Sequence, residues 1–288
     1  MAWPTPDLPL YGWFLLTGAC TGFLSGLLGI GGGLVLVPAF LAIFHAWYQL
    51  DDKFAVQMAL GTTMACMVVN ALCSTAAQNR KQCVAWDVLA RMWPWLCIGT
   101  ALGVWFTGWM DATAIKACFG AYCLFSGYRM VRRKAAAGLR EAPQGLRRSV
   151  VFAFALVCGL VGTGGANLFV PYLMRGRGLD LRQAMGSAAA LQIPVALVGA
   201  AAFLVLGVYG SGVAGLPARF SPGTGGASAP GAVGFIFGPA LLLVSAAAPF
   251  CTRAGVAVAH RMPIARLRWI FGAFTLLVGA RMLVAAAL

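Results

Sequence analysis

Charged residues are sparse along this chain and fall in clusters between long apolar runs. No Asp, Glu, Lys or Arg occurs between Asp7 and Asp51. Further apolar runs fill about 55 to 77, 93 to 111, 113 to 131, 184 to 208, 231 to 251 and 266 to 286. Each is near the ~20 residues a helix needs to cross ~30 Å of hydrocarbon. The pattern predicts an all-α polytopic membrane protein, with the lipid bilayer as its solvent partner. The segment 132–148, "RRKAAAGLREAPQGLRR", reads as a basic cytoplasmic linker, and the Gly/Ser/Pro-rich stretch 209–230 as a loop.

Two apolar runs, about 11 to 46 and 149 to 174, interrupt themselves with glycine. Residues 26–38 read "GLLGIGGGLVLVP" and residues 159–171 read "GLVGTGGANLFVP", with seven of thirteen positions identical. Downstream, "ALGTT" at 59–63 matches "AMGSA" at 184–188, and "GAYCLFSGYRM" at 120–130 matches "GAFTLLVGARM" at 272–282. Three matches in the same order mark an internal duplication. The expected organisation is a first membrane repeat at 1–131, the linker at 132–148 and a second repeat at 149–288. Each repeat comprises a glycine-broken helical hairpin and three transmembrane helices.

Composition agrees with a bilayer: 61% of the 288 residues are hydrophobic, 10% are charged, and the mean hydropathy is +0.85. The N-terminus has no Lys or Arg ahead of the apolar run, so the first segment is expected to stay in the protein. The net charge of +14 first suggests a nucleic-acid partner, but its distribution is an orientation signal. Seven Lys and Arg lie between Arg129 and Arg148, which sets that region inside. Moving outward from it, the loops alternate: three basic residues around Arg80 and Arg91 or Arg175 to Arg182, four from Arg253 to Arg268, but one near Lys53, Lys116 or Arg219. This alternation holds if each glycine-broken element enters and leaves on the same side, which makes the two repeats inverted. A single kinked span would put the loops with three and four Arg outside.

Backbone amides in hydrocarbon must be satisfied, so a break at membrane depth survives only inside protein or beside a polar cavity. Glycine permits positive φ and close approach of a ligand. The half-helices expected to start near Leu34 and Asn167 would turn their free N–H groups and positive dipole ends toward the breaks, which suits an anion. Gly31, Gly32, Gly33, Gly164 and Gly165 are therefore candidate substrate-binding positions, with Gly29, Pro38, Gly162 and Pro171 shaping the breaks. The bland alternative is close helix packing, as expected of Gly18, Gly22 and Gly26 at four-residue spacing. A dinucleotide fingerprint lacks its strand and third glycine, and a Walker lysine is missing.

The stretch "GFLSGLLGIGGGLVLVP" resembles the N-terminal signature of the TauE/SafE family of sulfite and sulfonate exporters, and the resemblance extends over essentially the whole chain. It implies a multi-pass protein of the cytoplasmic (inner) membrane that moves sulfur-containing anions such as sulfite, sulfoacetate or other sulfonates. The second motif departs from the glycine triplet, with Ala166 and Asn167 after Gly165. Asn167 either donates side-chain N–H groups to an oxyanion or caps its helix.

Thr62, Thr63 and Ser187 begin the next helices and offer hydroxyl donors, or else bond backbone and neighbouring helices. Asn70 and Gln192 lie deeper, where an amide is costly without a partner. Arg129 and Arg281 occupy matched places near helix ends, suited to snorkelling. His45 and His260 are isolated. The nine cysteines, Cys66, Cys73, Cys97 and Cys118 among them, lie mostly in apolar runs without metal-ligand spacing, so no disulfide, metal or cofactor is expected.

All seven acidic residues fall in loops or at span ends, leaving no intramembrane carboxylate relay. No catalytic constellation points to an enzyme. The expected function is a secondary transporter, an exporter of small sulfur anions working by alternating access. Membrane potential alone favours such efflux by ~2.3 kcal/mol per charge per 100 mV. The rivals are an ion-coupled importer of the same anions and a non-transport assembly or signalling scaffold. Homo-oligomerisation is left open.

Overall fold

The computed structural model describes residues 8–28, 32–48, 52–132, 144–209, 231–259 and 264–287. The described residues are overwhelmingly helical: α1 (Leu8–Leu28), α2 (Gly33–Tyr48), α3 (Asp52–Asn79), α4 (Trp86–Ala90), α5 (Trp93–Trp109), α6 (Ala112–Arg132), α7 (Gln144–Val161), α8 (Ala166–Gly176), α9 (Leu181–Tyr209), α10 (Gly238–Ala259) and α11 (Ile264–Ala287). Among the described residues, α3, α9 and α10 contain stretches long and apolar enough to cross a membrane. Gly29, Gly31, most of the linker and nearly all of the 209–230 loop lie outside the described residues.

Two elements differ from the hydropathy reading. The run expected at 231–251 starts its helix only at Gly238; Ala232–Val233 and Ile236–Phe237 pair as an antiparallel ribbon, β1 and β2. Gly234 at φ +58 begins the two-residue turn between them, a conformation that closes a hairpin and stops a helix. The short α4 lies in what reads as a loop; five residues are too few to leave a periodic signal.

Small residues decide which helices pair. In α1, Gly18, Gly22 and Gly26 lie on the backbone of Val244, Ala248 and Thr252 of α10, so that any Cβ would collide with it. The same device joins α5 to α7, where Gly99 and Gly103 face Phe152 to Leu160 and Gly159 meets the Thr100 carbonyl. Between α6 and α11, Gly120 faces Gly279 and Gly127 faces Gly272, so these helices run in opposite directions. Lipid tails are as apolar as side chains, so close backbone approach and dispersion hold such pairs together. The outer faces carry Phe250 at 75% and Leu242 at 73% exposure, with Trp13, Trp109 and Trp269 also exposed. This is the surface of a protein solvated by lipid, with Trp able to sit at the headgroup level.

Both broken elements double back. Phe14 on α1 lies 6.1 Å from Phe40 on α2, and Thr21 meets Gly32. Likewise Phe154 on α7 lies 6.1 Å from Phe169 on α8, and Cys158 meets Gly165. At the far end of α2, Lys116 donates to Asp52 at 2.9 Å and His45 lies 3.2 Å from the other oxygen of that carboxylate, tying α2, α3 and α6 together.

Candidate anion site at the glycine breaks

The two half-helices start as the glycine pattern predicts, within a residue. Gly32 at φ +76 precedes α2, and its carbonyl accepts from the N–H groups of Val35 and Leu36, each at 3.0 Å. Gly165 at φ +67 precedes α8, and its carbonyl accepts from Leu168 at 2.8 Å and Phe169 at 3.0 Å. Left-handed φ at both positions requires glycine or a strained substitute. The next N–H groups, of Gly33 and Leu34 and of Ala166 and Asn167, belong to the first turns, where a helix offers them no carbonyl of its own.

The two breaks touch each other. A Cβ on Gly33 would stand 3.2 Å from the Thr163 Cα and 3.3 Å from the Gly162 carbonyl oxygen. Met67 of α3 fills the space between them, its sulfur 2.8 Å from the same point and its methyl against Gly164. Two buried amides flank the junction. The Asn70 Nδ2 lies 3.5 Å from where a Gly32 Cβ would be, and neither its Nδ2 nor its Oδ1 has a hydrogen-bond partner. Gln192 of α9 packs against Gly164 and donates from Nε2 to the Ala188 carbonyl at 3.3 Å. Gly32, Gly33, Gly164, Gly165, Asn70 and Gln192 are thus brought together.

The other candidates occupy different places. Thr62 and Ser187 hold connections: the Phe237 N–H donates to the Thr62 hydroxyl oxygen at 2.9 Å, and the Ala85 N–H to that of Ser187 at 3.0 Å. Thr63 is fully buried with an unpartnered hydroxyl, on the same face of α3 as Met67 and Asn70 by helical spacing. Asn167 donates from Nδ2 to the Ser126 hydroxyl at 2.6 Å, bonding α8 to α6. Gly165 stands at the N-cap, so Asn167 is not the cap. Pro38 and Pro171 lie inside α2 and α8, where each removes one i to i−4 bond and frees the carbonyl of Leu34 or Asn167. Arg129 lies over the Phe125 ring at 5.2 Å, away from the breaks.

Thr163, Met67 and Thr21 belong to the junction and are absent from the sequence-based candidates. Thr163 had a visible signal: a polar residue in the slot that Ile30 occupies in the first motif. Met67 and Thr21 had none, since an apolar side chain or a helical threonine looks the same in any apolar run.

Chemically the junction is a neutral donor site. No charged side chain is among the residues that meet at the junction, so an anion here would be held by backbone N–H groups, helix dipoles and the Asn70 Nδ2, while Gln192 turns its Oε1, an acceptor, toward Gly164. The family profile described as sulfite exporter TauE/SafE matches residues 14–282. The chain belongs to the TauE/SafE family. Among the curated relatives of this TauE/SafE protein, a probable membrane transporter protein of Haemophilus influenzae is 26% identical over 270 residues, covering 93% of this chain and 96% of the relative. The probable membrane transporter protein YunE of Bacillus subtilis is 22% identical, covering 56% of this chain and 66% of its own. A shorter match to the probable membrane transporter protein y4hK of Sinorhizobium fredii reaches 36% identity over 31% of each chain. No solved structure matches. Family, relatives and apolar helices together make this protein a membrane transporter.

Proposed function

We propose that this TauE/SafE protein exports a small sulfur-containing anion, sulfite or an organosulfonate, across the cytoplasmic membrane by alternating access around the junction of its glycine breaks. The observation that carries the reading is the meeting of two glycine-capped helix starts beside Asn70, whose buried amide has no partner. A buried polar group left unsatisfied costs about 1–3 kcal/mol, and an oxyanion would repay the part of that cost that belongs to the Asn70 Nδ2 only while bound. Neutral donors also hold the ion weakly enough for release, and efflux down the membrane potential needs no coupling ion.

The scaffold in this reading is a pair of inverted repeats in a multi-pass membrane protein. Its support is the way matched elements meet: α6 and α11 run antiparallel, and so do α3 and α9, where Met64 meets Gly199 and Cys83, just beyond the end of α3, meets Gly186. Exchanging the halves turns the α1–α10 pair into the α7–α5 pair, and the Gly26–Thr252 contact into Gly159–Thr100. Such a two-fold relation offers two equivalent arrangements about the junction, one open to each side.

The test is anion flux in proteoliposomes with sulfite, thiosulfate and sulfoacetate, for the natural protein and Asn70→Leu. The natural protein is expected to move at least one of these anions without sodium. Asn70→Leu should keep or raise the melting temperature, because a costly amide is gone, and lower flux at least tenfold. Undiminished flux in a folded Asn70→Leu protein would remove the junction from the transport path, and strict sodium dependence would turn the direction to import.

A further inference from the structure

A cavity of about 400 Å³ lies where α8 ends and α5 and α7 begin. Arg91, Arg148 and Arg177 line it, one from each of these regions, and among the described residues no carboxylate does. Met92 and Val151, both buried, form apolar lining, and Trp95 and Tyr172 add aromatic surface. The Arg177 Nε is buried and has no hydrogen-bond partner. Bias of Arg toward the cytoplasmic side would be served by arginines anywhere on that face. It does not explain three guanidinium groups around one cavity, nor a buried charged donor with no acceptor.

We infer that this cavity captures the transported sulfur oxyanion before it reaches the glycine breaks, an inference that rests on the transport reading above. Guanidinium forks match the oxygen spacing of sulfonate, sulfite or phosphate groups, and a cavity lined by one sign of charge raises the local anion concentration. The aromatic and apolar lining suits the carbon portion of an organosulfonate. Along α8 the route to the break is short: Tyr172 is ~9 Å and Arg177 ~17 Å of helix from the first turn. The anion passes from charged guanidinium groups at the mouth to neutral N–H donors at the junction. That order gives capture where water is plentiful and weak holding where release is required.

Trp95 provides a local reporter. The full-length protein in phosphatidylcholine nanodiscs is titrated with sulfoacetate, inorganic phosphate and chloride, and its tryptophan fluorescence is compared with that of Trp95→Phe. A saturable response to sulfoacetate that is absent from Trp95→Phe is expected. It should need at least tenfold more anion in Arg177→Gln and about threefold more in Arg177→Lys, which keeps the charge and loses the fork; melting temperatures verify that both variants are folded. No Trp95-dependent response, or an unchanged midpoint in folded Arg177→Gln, would overturn the assignment. So would a response to phosphatidylglycerol in the nanodisc that sulfoacetate cannot displace, which would make this a lipid headgroup site. Flux in proteoliposomes separates the two claims. Flux that depends on Asn70 but not on Arg177 removes the cavity and keeps the transport reading, whereas a Trp95 response without flux of any sulfur anion removes the sulfur-anion reading, and with it capture of a transported anion, and leaves an anion-binding cavity.

Discussion

The two doubled-back elements share a glycine break and a helix start, yet their far ends are finished in opposite ways. Beside α1 and α2, Phe14, Phe40, Phe44 and Phe237 pack with ring centroids 5.8 to 6.1 Å apart, and all four are buried. Beside α7 and α8 there is the arginine-lined cavity, and Tyr172 contacts Phe154 at its edge. One end is closed by dispersion between aromatic rings; the other carries charges that require water or an anion. The difference teaches that two elements built on matching glycine motifs stay alike where backbones must meet, at the breaks, and differ at their far ends, where packing is free to vary.

The largest expected effect breaks the closed end. Phe44→Ala leaves a cavity among fully buried rings and should cost ~3–5 kcal/mol, read as a fall in melting temperature. Phe44→Leu, smaller in its damage, should preserve the fold while raising passive anion leak in proteoliposomes, if the cluster is a seal. Equal leak in Phe44→Leu and the natural protein would reduce the cluster to packing alone.

The breaks themselves come next. Gly165→Ala combines a left-handed φ with collision against the Cys158 sulfur, and should destabilise by ~2–3 kcal/mol. Gly32→Ala meets Thr21 only at 3.0 Å, so thermal melting should show a smaller loss. Adding Cys158→Ala should recover part of the Gly165→Ala loss and none of the Gly32→Ala loss.

Smaller still is a comparison of the two hydroxyl latches. Thr62→Val and Ser187→Ala each remove the acceptor of one backbone N–H, at 2.9 and 3.0 Å, and each should cost ~1 kcal/mol. Equal losses would sharpen the two-fold relation, and a difference greater than about twofold would count against it. The smallest stability effect belongs to the open end: Arg148→Gln changes an exposed side chain and should shift stability by no more than ~0.5 kcal/mol while weakening anion capture.

How much of this was legible varied by residue. Gly32 and Gly165 were readable because a cluster of adjacent glycines in an apolar run has few purposes. Gly18, Gly22 and Gly26 were readable as packing because their four-residue spacing places them on one helix face. Thr62 and Ser187 look in sequence like hydroxyl donors to a substrate, whereas both accept from backbone N–H groups, of Phe237 and Ala85, that lie 175 and 102 residues away. The cavity was invisible because Arg91, Arg148 and Arg177 are scattered in the chain and each looks like an ordinary orientation charge.

What the sequence determined by itself was everything that depends on period, length and covalent freedom: the apolar runs, the two matching glycine motifs, and the places where only glycine permits the backbone to turn. Those are local properties, written in neighbouring residues. The tertiary structure alone decided which glycine meets which carbonyl, that Met67 lies between the two breaks, that Asn70 is left without a partner, and that one end closes on four phenylalanines while the other gathers three arginines. These are contacts between distant segments, and their energies depend on distances of a few ångströms that no local pattern encodes.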